Sequence, residues 1–220
     1  MALKRPAMLV EARAKSELVR YSKAIWDRGF VANHDGNLSA RVSDDRIVCT
    51  PTATSKADVD ERSLVTTDAG GAQIAGHKKP FSELSLHLAV YRSRTDIAAV
   101  VHTHSPFATA LGASGRELQC FLPEAVVSLG ERVPLVNLAL PGAAALSAFE
   151  PFIAKYDAVL VAGNGVWAWG ADVEQAYLRA ELVEHLAKIA HHALPWGGPQ
   201  PLTTDVREKM LEARKKAFGR

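Results

Sequence analysis

Apolar and polar positions alternate along this chain in two different periods, and the changeovers outline its elements. Leu18, Tyr21 and Ile25 recur at helical spacing, so a helix is expected over about 7–28, with Gly29 as its natural stop. A polar, turn-rich stretch, Asn33-His34-Asp35-Gly36-Asn37, then leads into a strand at 38–42. Asp44-Asp45 reads as a hairpin turn into a strand over 46–50, and Asp68-Ala69-Gly70-Gly71 as the turn of a second hairpin, 64–67 with 72–75. Ser82 is the expected N-cap of a helix to about 92, with Leu84, Leu88 and Tyr91 on one face. Short apolar runs at 97–101, 133–137, 158–162 and 166–169 read as buried strands. Pro141-Gly142 opens an Ala-rich helix that Pro151 is expected to kink or interrupt. Asp172 with Gln175 makes a capping box for a long helix to about 192, and a last helix is expected over 204–217. Hairpins mixed irregularly with helices predict a central, mainly antiparallel sheet covered by helices on both sides, rather than a barrel or a doubly wound fold.

The chemistry concentrates at the end of the run over 97–101, which closes in His102-Thr103-His104 before Ser105-Pro106 starts a helix. Strand side chains alternate faces, so His102 and His104 present two imidazoles to one point, as a divalent metal requires. The bland alternative is a pair of half-buried histidines. Glu83, after a loop at the start of a helix, is a candidate oxygen ligand or base, and equally a first-turn acid offsetting the helix dipole. His87 lies one turn further on the same helix face and could orient that carboxylate. His191-His192 closes a helix, where cationic side chains offset the dipole, and His34 and His77 read as solvated loop residues. Trp26, Trp167 and Trp169 read as core or subunit contacts.

Composition narrows the classes. A chain of 220 residues with 48% hydrophobic and 23% charged residues is expected to form a single soluble domain, 1–220. A net charge of +2, with no basic block except near Lys215-Lys216, argues against nucleic acid as a partner. Cys49 and Cys120 are too few for a disulfide framework and too far apart for a cysteine-based zinc motif, which suits a reducing cytoplasm. No apolar h-region follows Met1-Ala2-Leu3-Lys4-Arg5-Pro6, so no signal peptide is expected, and no run approaches a membrane span.

Taken together, Asp35-Gly36-Asn37-Leu38-Ser39, Thr50-Pro51-Thr52, Ser82-Glu83, His102-Thr103-His104 and the Gly163-Asn164-Gly165 turn resemble the class II aldolase/adducin family, in its order and at its spacing. The resemblance implies a three-layer sandwich and a metal-dependent carbon–carbon lyase acting on a small hydroxy-ketone or sugar phosphate through a metal-stabilised enediolate. It implies a divalent ion, Zn²⁺ first and Mn²⁺ or Co²⁺ as substitutes, held by His102, His104, Glu83 and Asn164, with Glu83 also moving protons. A phosphate cradle would draw on Gly36, Asn37, Thr52 and Ser82, and the assembly would be a homotetramer. Three positions depart from the family pattern. Asn164 stands where a third histidine ligand is expected, Phe81 where a cradle serine is common, and Ala53 where glycine is usual. Decarboxylation and epimerisation share the same intermediate, and a non-catalytic adducin-like interaction module is the rival from another class. An amidohydrolase needs a longer barrel with its His pair on the first strand, and a cupin needs more strands and fewer helices.

Overall fold

The alternation of buried side chains along the sheet decides its layering. The computed structural model describes residues 11–140 and 142–219. Helix α1 (Glu11–Asp27) precedes an antiparallel meander of β1 (Asn37–Ser43), β2 (Arg46–Cys49), β3 (Val65–Asp68) and β4 (Gln73–Ala75). Helix α2 (Leu84–Ser93) leads into β5 (Ala99–Thr103), and α3 (Pro106–Ala113) leaves it. A ribbon of β6 (Leu118–Gln119) and β7 (Arg132–Val133) brackets α4 (Pro123–Leu129). Then follow β8 (Leu135–Val136), α5 (Ala143–Ile153), β9 (Ala158–Val161), β10 (Gly165–Gly170), α6 (Val173–Ala193) and α7 (Thr204–Phe218).

Among the described residues, eight strands form one sheet in the order β4-β3-β2-β1-β5-β10-β9-β8, antiparallel at every pairing except β8 with β9. In β5, Ala99 and Val101 pack into a cluster with α1 and α6 residues such as Leu18, Ile25 and Val183. Val100, between them, joins the opposite cluster with Leu88 and Tyr91 of α2 and Phe149 of α5. Strand β10 repeats the pattern, with Val166 and Ala168 on the first side and Trp167 and Trp169 on the second. Both faces of the central strands β5 and β10 are therefore buried under helices, the expected sandwich, and this explains why these strands read as unbroken apolar runs.

Several local expectations change. The part of the first helix before residue 11, and Pro141, lie outside the described residues. The strand expected over 133–137 is two: Pro134 has no N–H to donate, so Val133 pairs with Leu118 while Leu135 and Val136 pair with β9. Helix α5 runs through Pro151 without ending there. The N-cap of α2 is Glu83, not Ser82, and no side chain caps that end. Ser105 is the N-cap of α3, yet the capping bonds come from α6: Glu184 accepts from the N–H groups of Phe107 at 3.0 Å and Ala108 at 2.8 Å. The box before α6 forms as expected, with Asp172 accepting from the Gln175 N–H at 2.7 Å.

The C-terminal helix is fixed by buried charge. Asp157, fully buried, receives Arg94 at 3.0 Å from the end of α2, Arg179 at 3.2 Å from α6, and Arg214 from α7. Arg214 also donates to the carbonyls of Val127 and Ser128, tying α7 to α4.

Ala53 has φ of +50°, a left-handed conformation that its Cβ disfavours. Ala53→Gly is therefore expected to stabilise the fold by about 1 kcal/mol, a rise in Tm of about 2–4 °C for a chain this size. A thermal melt followed by circular dichroism checks it, and an unchanged or lower Tm would show that the loop is not strained.

Candidate active site

Parity within β5 places His102 on the same face as Val100, toward α2. The register sets it opposite Asn37 of β1 on one side and Trp167 of β10 on the other. Its ring stacks on the Trp167 indole with centroids 4.1 Å apart. The Nδ1–H of His102 donates to the Val166 carbonyl at 2.9 Å, which leaves Nε2 unprotonated in the neutral ring. His104 brings its own Nε2 to 3.1 Å from that atom, as the two-residue spacing predicts. On its far side, His104 Nδ1 lies 3.6 Å from Asp35 Oδ2.

Two glycines let neighbouring loops close on this strand end. A Cβ at Gly36, φ +69°, would lie 2.9 Å from the His102 carbonyl oxygen. At Gly165, φ +77°, it would lie 2.1 Å from the Thr103 carbonyl oxygen. Any larger residue would push away the segment carrying Asn37 or the turn carrying Asn164.

Those two amides meet on Glu83. Asn37 Nδ2 donates to Glu83 Oε2 at 3.0 Å and Asn164 Nδ2 to Oε1 at 2.8 Å, while Oε2 lies 3.5 Å from His102 Nε2. The orientation of Asn37 propagates inward. Its Oδ1 must accept, so His87 Nε2 donates to it at 2.7 Å, and His87 Nδ1 accepts from the Ser39 hydroxyl at 2.7 Å. Ser39 in turn accepts from the Tyr91 hydroxyl at 2.7 Å. His87 thus reaches Glu83 through Asn37 rather than directly, and every donor in the chain points one way.

The electrostatics favour a carboxylate among neutral rings. Burial opposes ionisation of Glu83, but His102 and the hydrogen bonds from Asn164 and Asn37 outweigh it and hold the carboxyl below its usual range. Burial pulls His102 down to about 4, against the attraction of Glu83. Burial also depresses His87 strongly. Above about pH 4 His102 is therefore unprotonated, and its free Nε2 faces the Glu83 carboxyl. Among the described residues, no group of three or more His, Cys, Asp or Glu is placed so that it could hold a metal ion.

Of the expected cradle residues, Gly36 and Asn37 are buried beside His102, and Asn37 has both ends of its amide engaged. Thr52 and Ser82 are exposed, and the Thr52 N–H bonds the Lys79 carbonyl at 3.0 Å, which ties their two loops together. Phe81 is buried with its ring 4.8 Å from that of His87, so it fills the core and offers no hydroxyl. His191 and His192 are exposed and pack around Phe107, and Trp167 and Trp169 are fully buried core residues. Sequence reasoning missed Ser39, Tyr91 and Lys56. Lys56 is buried and donates to the Thr54 carbonyl at 2.7 Å and the His34 carbonyl at 3.4 Å. Burial brings it down to about 8, opposed by Asp35. Only its place shortly after the Thr50-Pro51-Thr52 motif signalled it.

Residues 16–191 match the family described as Class II Aldolase and Adducin N-terminal domain. An L-fuculose phosphate aldolase of Methanocaldococcus jannaschii is 32% identical over 175 residues, 80% of this chain and 94% of that protein. A 3-oxo-tetronate 4-phosphate decarboxylase of Pectobacterium atrosepticum is 32% identical over 185 residues, 81% of this chain and 84% of its own length. Among solved structures, an L-fuculose 1-phosphate aldolase superimposes with a TM-score of 0.85 at 27% identity, over 94% of this chain and 98% of that one. With agreement in profile, sequence and fold over most of its length, the chain belongs to the class II aldolase and adducin family and is an enzyme of its aldolase type.

Proposed function

We propose that this enzyme cleaves a carbon–carbon bond in a small hydroxycarbonyl compound, with Glu83 as the group that moves the proton. The observation that carries the reading is the clamped carboxylate: Asn37 and Asn164 hold it ionised, 3.5 Å from an unprotonated His102 nitrogen. His102, His104 and Glu83 would hold a divalent ion, Zn²⁺ first, with the Asn164 side chain beside them. When bound, that ion supplies Lewis-acid polarisation of the substrate's carbonyl and hydroxyl oxygens. Glu83 accepts the proton of the hydroxyl on the carbon that becomes the aldehyde, and returns it to the carbon left electron-rich by cleavage. His87 keeps Asn37 turned so that its N–H faces Glu83. A phosphate, where the substrate has one, would meet Thr52 and Ser82, with Lys78 near: its amine donates to Thr54 at 3.1 Å.

Decarboxylation of a 3-oxo acid leaves the same electron-rich carbon, and the decarboxylase relative supports that as the second reading. An adducin-like module without chemistry would have no use for a carboxylate held ionised by two amides at a strand end.

Glu83→Gln is expected to lower kcat by about 10²–10⁴ while the fold persists, because the amide has no base to offer. Aldehyde release from ketose phosphates and their unphosphorylated counterparts, measured by coupled reduction, reads it; full activity in the variant would remove Glu83 from the mechanism. Asn37→Asp replaces an N–H donor by a like charge, raising the Glu83 pKa. The acid limb of the pH–rate profile should then move to higher pH.

Metal affinity tests the turn. Asn164→His offers imidazole in place of an amide and is expected to tighten Zn²⁺ binding about tenfold or more in competition with a chromogenic chelator. Equal or weaker affinity would place Asn164 outside the ligand position. Native mass spectrometry of the same samples reads the ion and the copy number. We expect four copies, with exposed Trp26, Leu178 and Trp196 as contact surface, in a cytoplasmic setting.

A further inference from the structure

Strand register puts one side chain against both branches of the reacting centre. Trp167 of β10 pairs with His102 of β5, so their side chains leave the sheet from the same face at neighbouring positions. The centroids of indole and imidazole lie 4.1 Å apart, with the two planes 20° from parallel. The same indole meets the His87 ring at 5.3 Å and 72°, and Phe149 of α5 packs on it at 5.4 Å and 68°. Trp167, His87 and His102 are all fully buried. The Trp167 Nε1–H finds no acceptor among the described residues. A buried donor left unpaired is a cost that phenylalanine would avoid, and what the wider indole adds is its reach over both imidazoles. Trp169, two residues on, is the contrast. It stands opposite Val100, donates to the Tyr156 carbonyl at 3.0 Å, and among the described residues has a ring contact with Phe149 but with neither histidine.

We propose that Trp167 is a positioning residue of the reaction, fixing the ring plane of His102 directly and the Glu83 carboxylate through His87 and Asn37. Rotation of an imidazole about its last side-chain bond is soft. The hydrogen bond from His102 Nδ1 to the Val166 carbonyl holds one atom of the ring, and the stacked indole holds its plane. Together they decide where Nε2 points, 3.1 Å from His104 Nε2 and 3.5 Å from Glu83 Oε2. In the second branch both nitrogens of His87 are hydrogen-bonded, while the Phe81 and Trp167 rings pack against its imidazole. His87 so held keeps Asn37 turned to donate to Glu83. This role rests on His102 and Glu83 being the reacting groups, and not on which bond they cleave.

Side-chain NMR of the metal-free protein at neutral pH reads the positioning without any substrate. The wild type is expected to show one tautomer for each buried ring, Nδ1–H for His102 and Nε2–H for His87, with the His102 ring protons displaced upfield by the indole. Mixed tautomers, or ring protons without that displacement, overturn the proposal, and this arm decides the matter if a variant does not fold. Trp167→Met removes the ring and is expected to split or broaden the signals of both histidines. On a substrate that the wild type turns over, it is expected to lower kcat about 10²-fold with KM nearly unchanged. Trp167→Phe returns a ring face to His102 and is expected to recover most of both losses. Trp169→Met removes a tryptophan from the same core and is expected to lower Tm while leaving the histidine signals and kcat as they were. Unchanged signals or unchanged kcat in Trp167→Met overturn the proposal. So do equal losses in Trp167→Phe, which would make the effect one of size alone, and equal losses in Trp169→Met. Signals that change in Trp167→Met alone, with no turnover by the wild type, support the positioning and count against the lyase reading.

Discussion

Two amide N–H groups on one carboxylate govern the organisation of this site. Glu83 sits at the start of α2, Asn37 opens β1 and Asn164 lies in the turn before β10, so the hydrogen bonds at 3.0 and 2.8 Å draw three separate segments to the end of β5. A carboxylate buried to this degree is costly unless donors satisfy it, and these do. The clamp also sets proton positions further in. Because Asn37 must donate to Glu83, its oxygen accepts from His87, and the other nitrogen of His87 accepts a hydrogen bond from the Ser39 hydroxyl. A fully buried histidine with both nitrogens satisfied in a fixed tautomer is rigid. The reacting end of the molecule thus inherits its orientation from the interior.

Much of this was legible in the sequence because it is local. The two-residue spacing of His102 and His104 fixes their common face in any strand. The glycines at Gly36 and Gly165 mark where chain must pass close to β5. What could not be read depends on partners far along the chain. Asn37 looked like part of an anion cradle, and only contact with α2, 46 residues away, shows that its amide is committed to Glu83. Helical spacing sets His87 one turn after Glu83, but the link between them runs through the Asn37 side chain, which is a tertiary fact. Glu184 capping α3 and the three arginines on Asp157 are likewise invisible to periodicity, since burial of charge is decided by neighbours rather than by pattern. Pro134 could have been weighed as a strand divider from its missing N–H alone.

The surroundings of the carboxylate mix polar and apolar side chains. The cavity beside Glu83 is lined by Leu86, Val136, Phe149 and Val161 and equally by Ser82, Ser85, Asn137 and Asn164. On the neighbouring Thr52 loop Lys56 is buried against the Thr54 carbonyl, and Lys78 donates to the Thr54 hydroxyl. Phe81 packs its ring on His87 and so offers the site no hydroxyl.

The central claim is that His102, His104 and the clamped Glu83 form one cation-centred reaction site. Anomalous diffraction at the zinc edge, from crystals of the protein grown with Zn²⁺, tests it most directly. The account predicts a peak about 2.0–2.1 Å from Nε2 of both His102 and His104, with Glu83 adjacent. Fully ordered histidines with no peak between them, or zinc bound only elsewhere, would contradict it.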